Sequence, residues 1–535
     1  MFMESTRPIN LGAVHDDFAT LRPDRTAFID GESDVVVTYR ELSERIAKAG
    51  NALDELGAKK GDRIALFFPN ELTYVYTFFG AMRIGAVPVP INVESPSSTV
   101  RYVVEDSDAA LLVSSDDEDV LETAANAASA VDAVETLAVD AESPASIDAG
   151  ETDVRSYLTR VRNASPVREI EPVDADDPAL QPYTSGSTGQ PKGVVLDHEG
   201  AWWNIDAVRQ TMMYDETTRG IVAAPLYHKN AMVAAIKPLL SCGGSTVVMQ
   251  GFDTEAVLRA IDEHRVTLLI GVPAMYQMLL EDTESLRRYD VSSVSLARCG
   301  SDTVPETLMD RFEDVFEAPL LEMYGITEGG PGVLCNPRWG GPRKLGSAGL
   351  PYPGVDTRIV DPETGSECPP NETGELLISN PGLGSYYELP EKEKTAFEER
   401  DGKRFLHTED LAYLDEDGYH YIVGRLDNMM IVGGENVYPA EVETLLEEHD
   451  AVDDVVVVSA PHAVKGEAPV AFVVSGDEIT ESELKQFAID NGPAYAHPRR
   501  VFFVEGFPLT GAGKVDRTTL EAEATDRIGE LQGGR

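Results

Sequence analysis

The sequence predicts an α/β protein built as a large, multi-subdomain N-terminal α/β domain followed by a small C-terminal α+β domain, and three observations carry that expectation. The chain has 535 residues, more than one ordinary hydrophobic core organises. Residues 35–113 alternate between short aliphatic runs and helical patterns, the rhythm of parallel strands joined by helices. Near Gly424 the composition shifts, and the helix and strand patterns beyond it have the size of a separate small domain.

Taken in order, Val35-Val36-Val37-Thr38-Tyr39 reads as a strand, and a helical pattern follows over residues 39–56, ended near Gly57. Arg63-Ile64-Ala65-Leu66-Phe67-Phe68 reads as a second strand, with Pro69-Asn70 after it. Residues 114–174 are rich in Ala, Asp, Glu and Ser with few large apolar side chains, which suggests solvated helix and loop without chemistry. Beyond Gly424, residues 440–449 read as a helix, and residues 455–458 and 470–474 as strands. The expected division is residues 1–425 and 426–535, a large body and a small lid.

Composition narrows the function classes. The most apolar stretch, residues 78–91, is short, carries Arg83 and is interrupted by Pro88 and Pro90, so no membrane span is expected. Residues 1–10 lack a basic start followed by an apolar run, which predicts no secretory signal and a cytoplasmic protein. Cys242, Cys299, Cys335 and Cys368 are scattered without metal-ligand spacing, so any metal is expected to arrive with the substrate. The formal charge of −49 has the wrong sign for a nucleic-acid partner. The acids are spread along the whole chain, which suits a protein adapted to high internal salt (halophilic), where the screening length falls from about 8 Å to about 3 Å at 1 M.

The strongest local signal is Tyr183-Thr184-Ser185-Gly186-Ser187-Thr188-Gly189-Gln190-Pro191-Lys192-Gly193. Small residues let backbone N–H groups approach phosphate oxygens, hydroxyls add donors, and Lys192 adds positive charge. The spacing is not that of a P-loop. A flexible Gly/Ser turn is the bland alternative, and the ordered run ending in Pro-Lys-Gly argues against it.

This segment resembles the signature loop of the AMP-forming acyl-CoA synthetase superfamily, and further motifs of that family follow in order. They are Tyr324-Gly325-Ile326-Thr327-Glu328, then Gly374-Glu375-Leu376 with Gly384-Ser385-Tyr386-Tyr387, then Thr408-Glu409-Asp410. Gly424-Arg425-Leu426-Asp427 with Gly433-Gly434-Glu435 resembles the hinge region, and Pro508-Leu509-Thr510-Gly511-Ala512-Gly513-Lys514 the catalytic-lysine loop. The likeness covers about residues 15–525.

The resemblance implies ATP-dependent activation of a carboxylic acid to an acyl-adenylate with release of pyrophosphate, followed by transfer to coenzyme A. It implies ATP, Mg²⁺ and coenzyme A as the small molecules bound besides the acid. Lys514, one of only thirteen lysines, would bridge the carboxylate and the α-phosphate. Glu328 would hold the Mg²⁺ that ATP carries, and Thr327 would donate to the α-phosphate. Thr184, Ser185, Gly186, Ser187, Thr188, Gly189 and Lys192 would cradle the phosphates. Adenine would lie between Tyr324 and the Gly300-Ser301-Asp302 turn, with Glu322 near its amino group, Met323 and Gly325 beside it and Ile422 as apolar cover. Asp410 and Arg425 would hold the ribose, although an Asp–Arg pair joining two domains is the plainer reading. His228 would gate the acyl carbon. Asp427 would be the pivot of a mobile lid, whose Gly433, Gly434 and Glu435 would line the coenzyme A tunnel. Two departures stand out: Glu409 replaces the glycine usual before the ribose-binding aspartate, and Asn428 stands where an aspartate is common.

The acid pocket is expected around residues 228–232, 297–301 and 323–326. Acetate-specific relatives close it with a tryptophan at the position of Gly325, so a medium- or long-chain fatty acid or an aryl acid is expected here. Lys229 would point to solvent or meet a second carboxylate. A stand-alone enzyme loading an acyl or aminoacyl group onto a carrier protein would share these motifs, whereas a luciferase-like oxygenase has no supporting feature in the sequence. A non-catalytic relative would be expected to have lost Lys192, Glu328 or Lys514. Oligomeric state is left open, a homodimer among the arrangements allowed.

Overall fold

The helix that begins at Tyr39 shows how local chemistry sets an element. Thr38 caps it with its hydroxyl accepting from Glu41 N, and the Glu41 carboxylate reaches back to Thr38 N at 2.8 Å. The helix runs Tyr39–Glu55 and buries Leu42, Ile46 and Leu53 at helical spacing, one residue short of the 39–56 read from sequence. The computed structural model describes residues 9–131, 136–142, 147, 149–150, 152–184, 190–228, 230–300, 304–330, 332–338, 341–432, 435–462, 466–476, 479–493, 496–509 and 515–533. Contacts group the chain into two compact units, Met1–Asp356 with Ile378–Leu406, and Thr357–Leu377 with His407–Arg535.

The first unit contains two parallel sheets. In one, Val87–Pro90, Arg63–Phe67, Ala109–Ser114, Thr136–Val139 and Asp153–Ser156 lie side by side, all parallel. The last two strands fall in the stretch read from sequence as solvated helix and loop. That reading is corrected: the helix Glu118–Ala128 buries Val120, Ala124, Ala125, Ala127 and Ala128 against this sheet's core. Alanines pack closely without bulk, so a region poor in large apolar residues still contributes to the interior.

The other sheet carries six parallel strands in the order Thr26–Asp30, Ser245–Val248, Arg219–Val222, Leu268–Gly271, Leu296–Gly300 and Leu320–Tyr324. Val36–Thr38 and Leu334–Cys335 close its edges in antiparallel pairing, with Leu350–Pro351 beyond the latter. Its interior strands are buried along their length, as expected of a sheet covered on both faces. A smaller sheet centres on Lys192–Asp197, flanked by Pro178–Leu180 and Ser385–Tyr386, with the short strand Tyr183–Thr184 also paired to it.

The strand Lys403–Leu414, which belongs to the second unit from His407 onward, forms a hairpin with His420–Arg425, register Asp410↔Arg425. A separate sheet follows in the order Glu435–Val437, Met430–Val432, Gly466–Val474, Asp454–His462, with Arg500–Phe503 parallel to Gly466–Val474. Helices Pro439–Glu447 and Glu481–Asn491 bury Val442, Leu446, Leu484 and Ala488 against it. The helix and two strands read near residues 440–474 are all present. Among the described residues no helix is long and apolar enough to cross a membrane.

Candidate active site

Thr184 and Lys192 face each other in antiparallel register, so the two ends of the phosphate-type run are held together. Ser185, Gly186, Ser187, Thr188 and Gly189 lie outside the described residues. The strand that begins at Lys192 also pairs with Ser385–Tyr386, Val194 opposite Tyr386, and Tyr387 N donates to Gly193 O at 2.9 Å. That pairing brings two sequence motifs to one place. A third joins them at Glu328: the Thr184 hydroxyl donates to Glu328 Oε1 at 3.1 Å, and Tyr386 OH donates to the same oxygen at 3.3 Å. Gly384 N donates to the Glu328 carbonyl at 2.7 Å. Residues 144 and 58 positions apart thus converge on one carboxylate. The Asn380 amide donates to Gly329 O at 2.8 Å and fixes the turn after Glu328. Thr327 directly precedes Glu328, between Ile326 and Gly329, whose N donates to Ile326 O at 3.3 Å.

The next group stands at the carboxyl ends of neighbouring parallel strands, where ligands of open α/β sheets bind. Leu296–Gly300 and Leu320–Tyr324 run parallel with Gly300 opposite Met323 and Cys299 opposite Glu322. Ser301 and Asp302 lie outside the described residues. Tyr324 ends its strand, its carbonyl accepting from Val333 N at 3.1 Å, and Gly325 follows. Glu322 is 8% exposed, and its Oε2 has no hydrogen-bond partner among the described residues. Burial pushes its carboxyl up to about 8, so the apo protein holds it neutral at pH 7. A buried, unused carboxyl oxygen of this kind is an acceptor waiting for a donor.

The sign of that shift gives a testable pH dependence. Below the ordinary glutamate range the carboxyl is neutral in both folded and unfolded chains and costs nothing. Between about 4.5 and 8 the unfolded chain releases a proton that the folded chain keeps, so stability falls as pH rises. The ceiling is about 1.4 kcal/mol per pH unit. Glu322→Gln removes this dependence, so thermal melts of the apo variant are expected to exceed wild type by a margin that widens from pH 5 to pH 8. A constant margin would show that Glu322 ionises normally.

His228 is half-buried in the loop between the strand Arg219–Val222 and the π-helix Asn230–Ile236. Its N donates to Pro225 O at 3.1 Å, and its ring stands edge-on to Tyr227. Asn70, which the sequence reading left without a role, anchors this loop. Its buried amide donates to Ala224 O and Met249 O and its Oδ1 accepts from Leu226 N at 2.7 Å. The only sequence signal was a polar residue directly after an apolar strand. Lys229 lies outside the described residues.

In the second unit Asp410 is buried, and the Arg425 guanidinium donates to its Oδ1 at 3.1 Å. Arg425 also reaches Glu409 Oε2 at 3.2 Å. Glu409 has φ +60°, the left-handed region that disfavours side chains, which accounts for a glycine at this position in relatives. Here the ion pair to Arg425 uses the side chain that glycine lacks. A second unforeseen role belongs to Glu375. Its buried carboxylate accepts from Glu409 N at 3.2 Å and meets His407 Nδ1 at 2.9 Å. The Thr408 hydroxyl donates to Leu376 O and accepts from Asp410 N, so the 374–376 motif holds the turn that presents Asp410. Ile422 lies on the partner strand opposite Ala412. Asp427 is in the 3-10 turn Leu426–Asn428, and Glu435 begins the strand Glu435–Val437. Gly433, Gly434 and Lys514 lie outside the described residues.

Comparison with known proteins gives the same picture along nearly the whole chain. Residues 16–388 match the AMP-binding enzyme family, and residues 441–514 match the AMP-binding enzyme C-terminal domain. The chain is similar to a feruloyl-CoA synthase of Amycolatopsis sp, 36% identical over 516 residues, which are 96% of this chain and 97% of that protein. It is 30% identical to a long-chain-fatty-acid–CoA ligase of Bacillus subtilis, over 96% of this chain and 95% of the relative. The crystal structure of ATP-bound MatB from Rhodopseudomonas palustris matches with a TM-score of 0.86 at 28% identity, covering 97% of this chain and 99% of that one. The chain therefore belongs to the AMP-binding enzyme family, as an AMP-forming acid–coenzyme A ligase that takes ATP, a carboxylic acid and coenzyme A as substrates.

Proposed function

We propose that this ligase acts on an aryl acid or a medium- to long-chain fatty acid, with the phosphates handled by the cluster around Glu328. The convergence of Thr184, Tyr386 and Glu328 carries the reading, because it joins the phosphate-type run to an acidic oxygen ligand. A carboxylate flanked by hydroxyls is a hard-oxygen donor set and fits Mg²⁺, held by Glu328, which when bound would neutralise phosphate charge. The substrate class is supported by Gly325, which leaves open the depth that a tryptophan closes in acetate-specific relatives. It is also supported by similarity to both a feruloyl-CoA synthase and a long-chain-fatty-acid–CoA ligase.

In the first half-reaction a carboxylate oxygen bonds to the α-phosphorus and pyrophosphate leaves. Both reactants are anions, so charge must be neutralised where it develops. Lys514 bridges the carboxylate and α-phosphate, Lys192 and the 184–189 loop take the outer phosphates, and Thr327 donates to the α-phosphate. Glu322 accepts from the adenine amino group, beside Gly300, Ser301, Asp302, Met323, Tyr324 and Gly325, with Ile422 as cover. Asp410 accepts from the ribose hydroxyls, steadied by Arg425. In the second half-reaction the coenzyme A thiol gives its proton to solvent, its sulfur bonds to the acyl carbon, and the bond from that carbon to the phosphate oxygen breaks as AMP leaves, His228 positioning the acyl group. The functional boundary lies between residues 425 and 426, with Asp427 as pivot and Gly433, Gly434 and Glu435 lining the thiol path. The high acidic charge suits a salt-rich interior.

Incubation with ATP, Mg²⁺, coenzyme A and a panel of aryl and fatty acids in concentrated KCl, with products read by mass spectrometry, tests the reading. AMP and an aroyl- or fatty-acyl-CoA are expected, and acetate as the best substrate would overturn the class. Asp427→Pro tests the pivot, since proline fixes φ at a residue that must change it. Adenylate formation is expected to persist while thioester formation slows about tenfold or more, the equivalent of about 1.4 kcal/mol on the barrier. Equal loss of both would exclude a rotation about Asp427.

A further inference from the structure

Behind the Glu328 turn lies a small, partly open pocket to which the reaction assigns no role. Leu180, Val233, Gly330 and Gly382 line it, and two polar side chains, Asn204 and Lys237, face it. It has room for the centre of a water-sized sphere over about 20 Å³, enough for one water or one monatomic ion. Asn204, on the helix His198–Met212, is 3% exposed, and neither its Nδ2 nor its Oδ1 has a hydrogen-bond partner among the described residues. Lys237, which opens the helix Lys237–Cys242, is 2% exposed. Its amine lies 5.1 Å from the centroid of the Phe78 ring, and no carboxylate among the described residues pairs with it.

We propose that this cavity is a binding site for a halide-sized anion, with the Lys237 ammonium as its counter-charge and Asn204 Nδ2 as its second donor. A buried ammonium without a counter-charge is costly, and a water molecule would leave that charge uncompensated. An anion compensates it and at the same time satisfies a buried amide N–H. Burial alone lowers the Lys237 pKa to about 7, so the ammonium is available in mildly acidic to neutral solution. The titratable neighbour whose charge is coupled to it is His198, at the start of the Asn204 helix. Burial holds that imidazole near 4, and its Nδ1 accepts from Leu11 N, so it stays neutral and does not compete for the anion. Because Gly330 and Gly382 wall the cavity, an occupant steadies the segments that carry Glu328 and Gly384. Similarly the amide of Asn380 already ties Gly329 from outside. The site is independent of which acid the enzyme activates.

Two measurements on the full-length protein test it. Crystals soaked in sodium bromide are expected to show an anomalous peak between Lys237 Nζ and Asn204 Nδ2 at the bromine absorption edge. Thermal melts near pH 6 are expected to run about 2 °C higher in sodium chloride than in sodium gluconate at matched ionic strength, gluconate being too large to enter. Asn204→Asp, isosteric with the native residue, supplies an internal counter-charge and is expected to abolish the difference. Lys237→Met is expected to abolish it by removing the cation. An ordered water in place of the bromide peak, or the same chloride difference in wild type and Asn204→Asp, would overturn the proposal.

Discussion

Replacing Lys514 by alanine is expected to slow adenylate formation by about 10²–10³-fold, the scale set by deleting one preorganised group that meets developing charge. The carboxylate and the triphosphate repel each other, and the lysine ammonium is the group assigned to sit between them. The loss is expected in kcat for the first half-reaction, with ATP binding little changed, because the interaction strengthens as the new P–O bond forms. Supplied with a preformed acyl-adenylate, the same variant is expected to make acyl-CoA close to the wild-type rate, because the second step forms its new bond at the acyl carbon and none at the α-phosphorus, where the lysine is assigned to act. Single-turnover assays of each half-reaction read both arms. Equal slowing of the two steps would place Lys514 in a structural role.

Glu328→Ala is expected to be the next largest effect, lowering the overall rate by about 10²-fold. It removes the oxygen ligand assigned to Mg²⁺ and leaves the hydroxyls of Thr184 and Tyr386 without their shared acceptor. Glu328→Gln separates these effects. The glutamine carbonyl still accepts from both hydroxyls, so Thr184 and Tyr386 stay in place, but the negative charge that attracts a divalent cation is gone. The glutamine variant is therefore expected to melt like wild type, to be slow at ordinary magnesium, and to recover part of its rate as magnesium rises. Full activity of the glutamine variant would show that Glu328 serves only to position Thr184 and Tyr386.

Much of this site was legible in the sequence because its chemistry is local. The 183–193 run, the 324–328 run and the 408–410 run each combine residue types that only a few reactions require, and their order survives any folding. What the runs could not reveal is which of their atoms meet. Glu409 is instructive: in sequence it is a departure from glycine, and only the backbone angle of +60° together with Arg425 shows why glycine is usual and how a side chain is accommodated. Asn70 and Glu375 were illegible for the same reason. Their roles lie in hydrogen bonds to residues 154–179 and 32–34 positions away, and no periodicity encodes such pairings. The stretch 114–174 failed differently, because its interior is filled by small alanine side chains, and a search for large apolar residues passes over them.

By itself, then, the sequence determined the class of fold, the family and the ordered set of chemical groups, since strand–helix rhythm and motif chemistry are properties of neighbouring residues. Only the tertiary structure decided that Thr184, Tyr386 and Glu328 share one oxygen, that Glu322 keeps an unused buried carboxyl, and that Asn204 and Lys237 face one cavity. The physical reason is that burial, with the desolvation and hydrogen-bond satisfaction it imposes, is a property of three-dimensional packing between distant segments, and a linear pattern does not contain it.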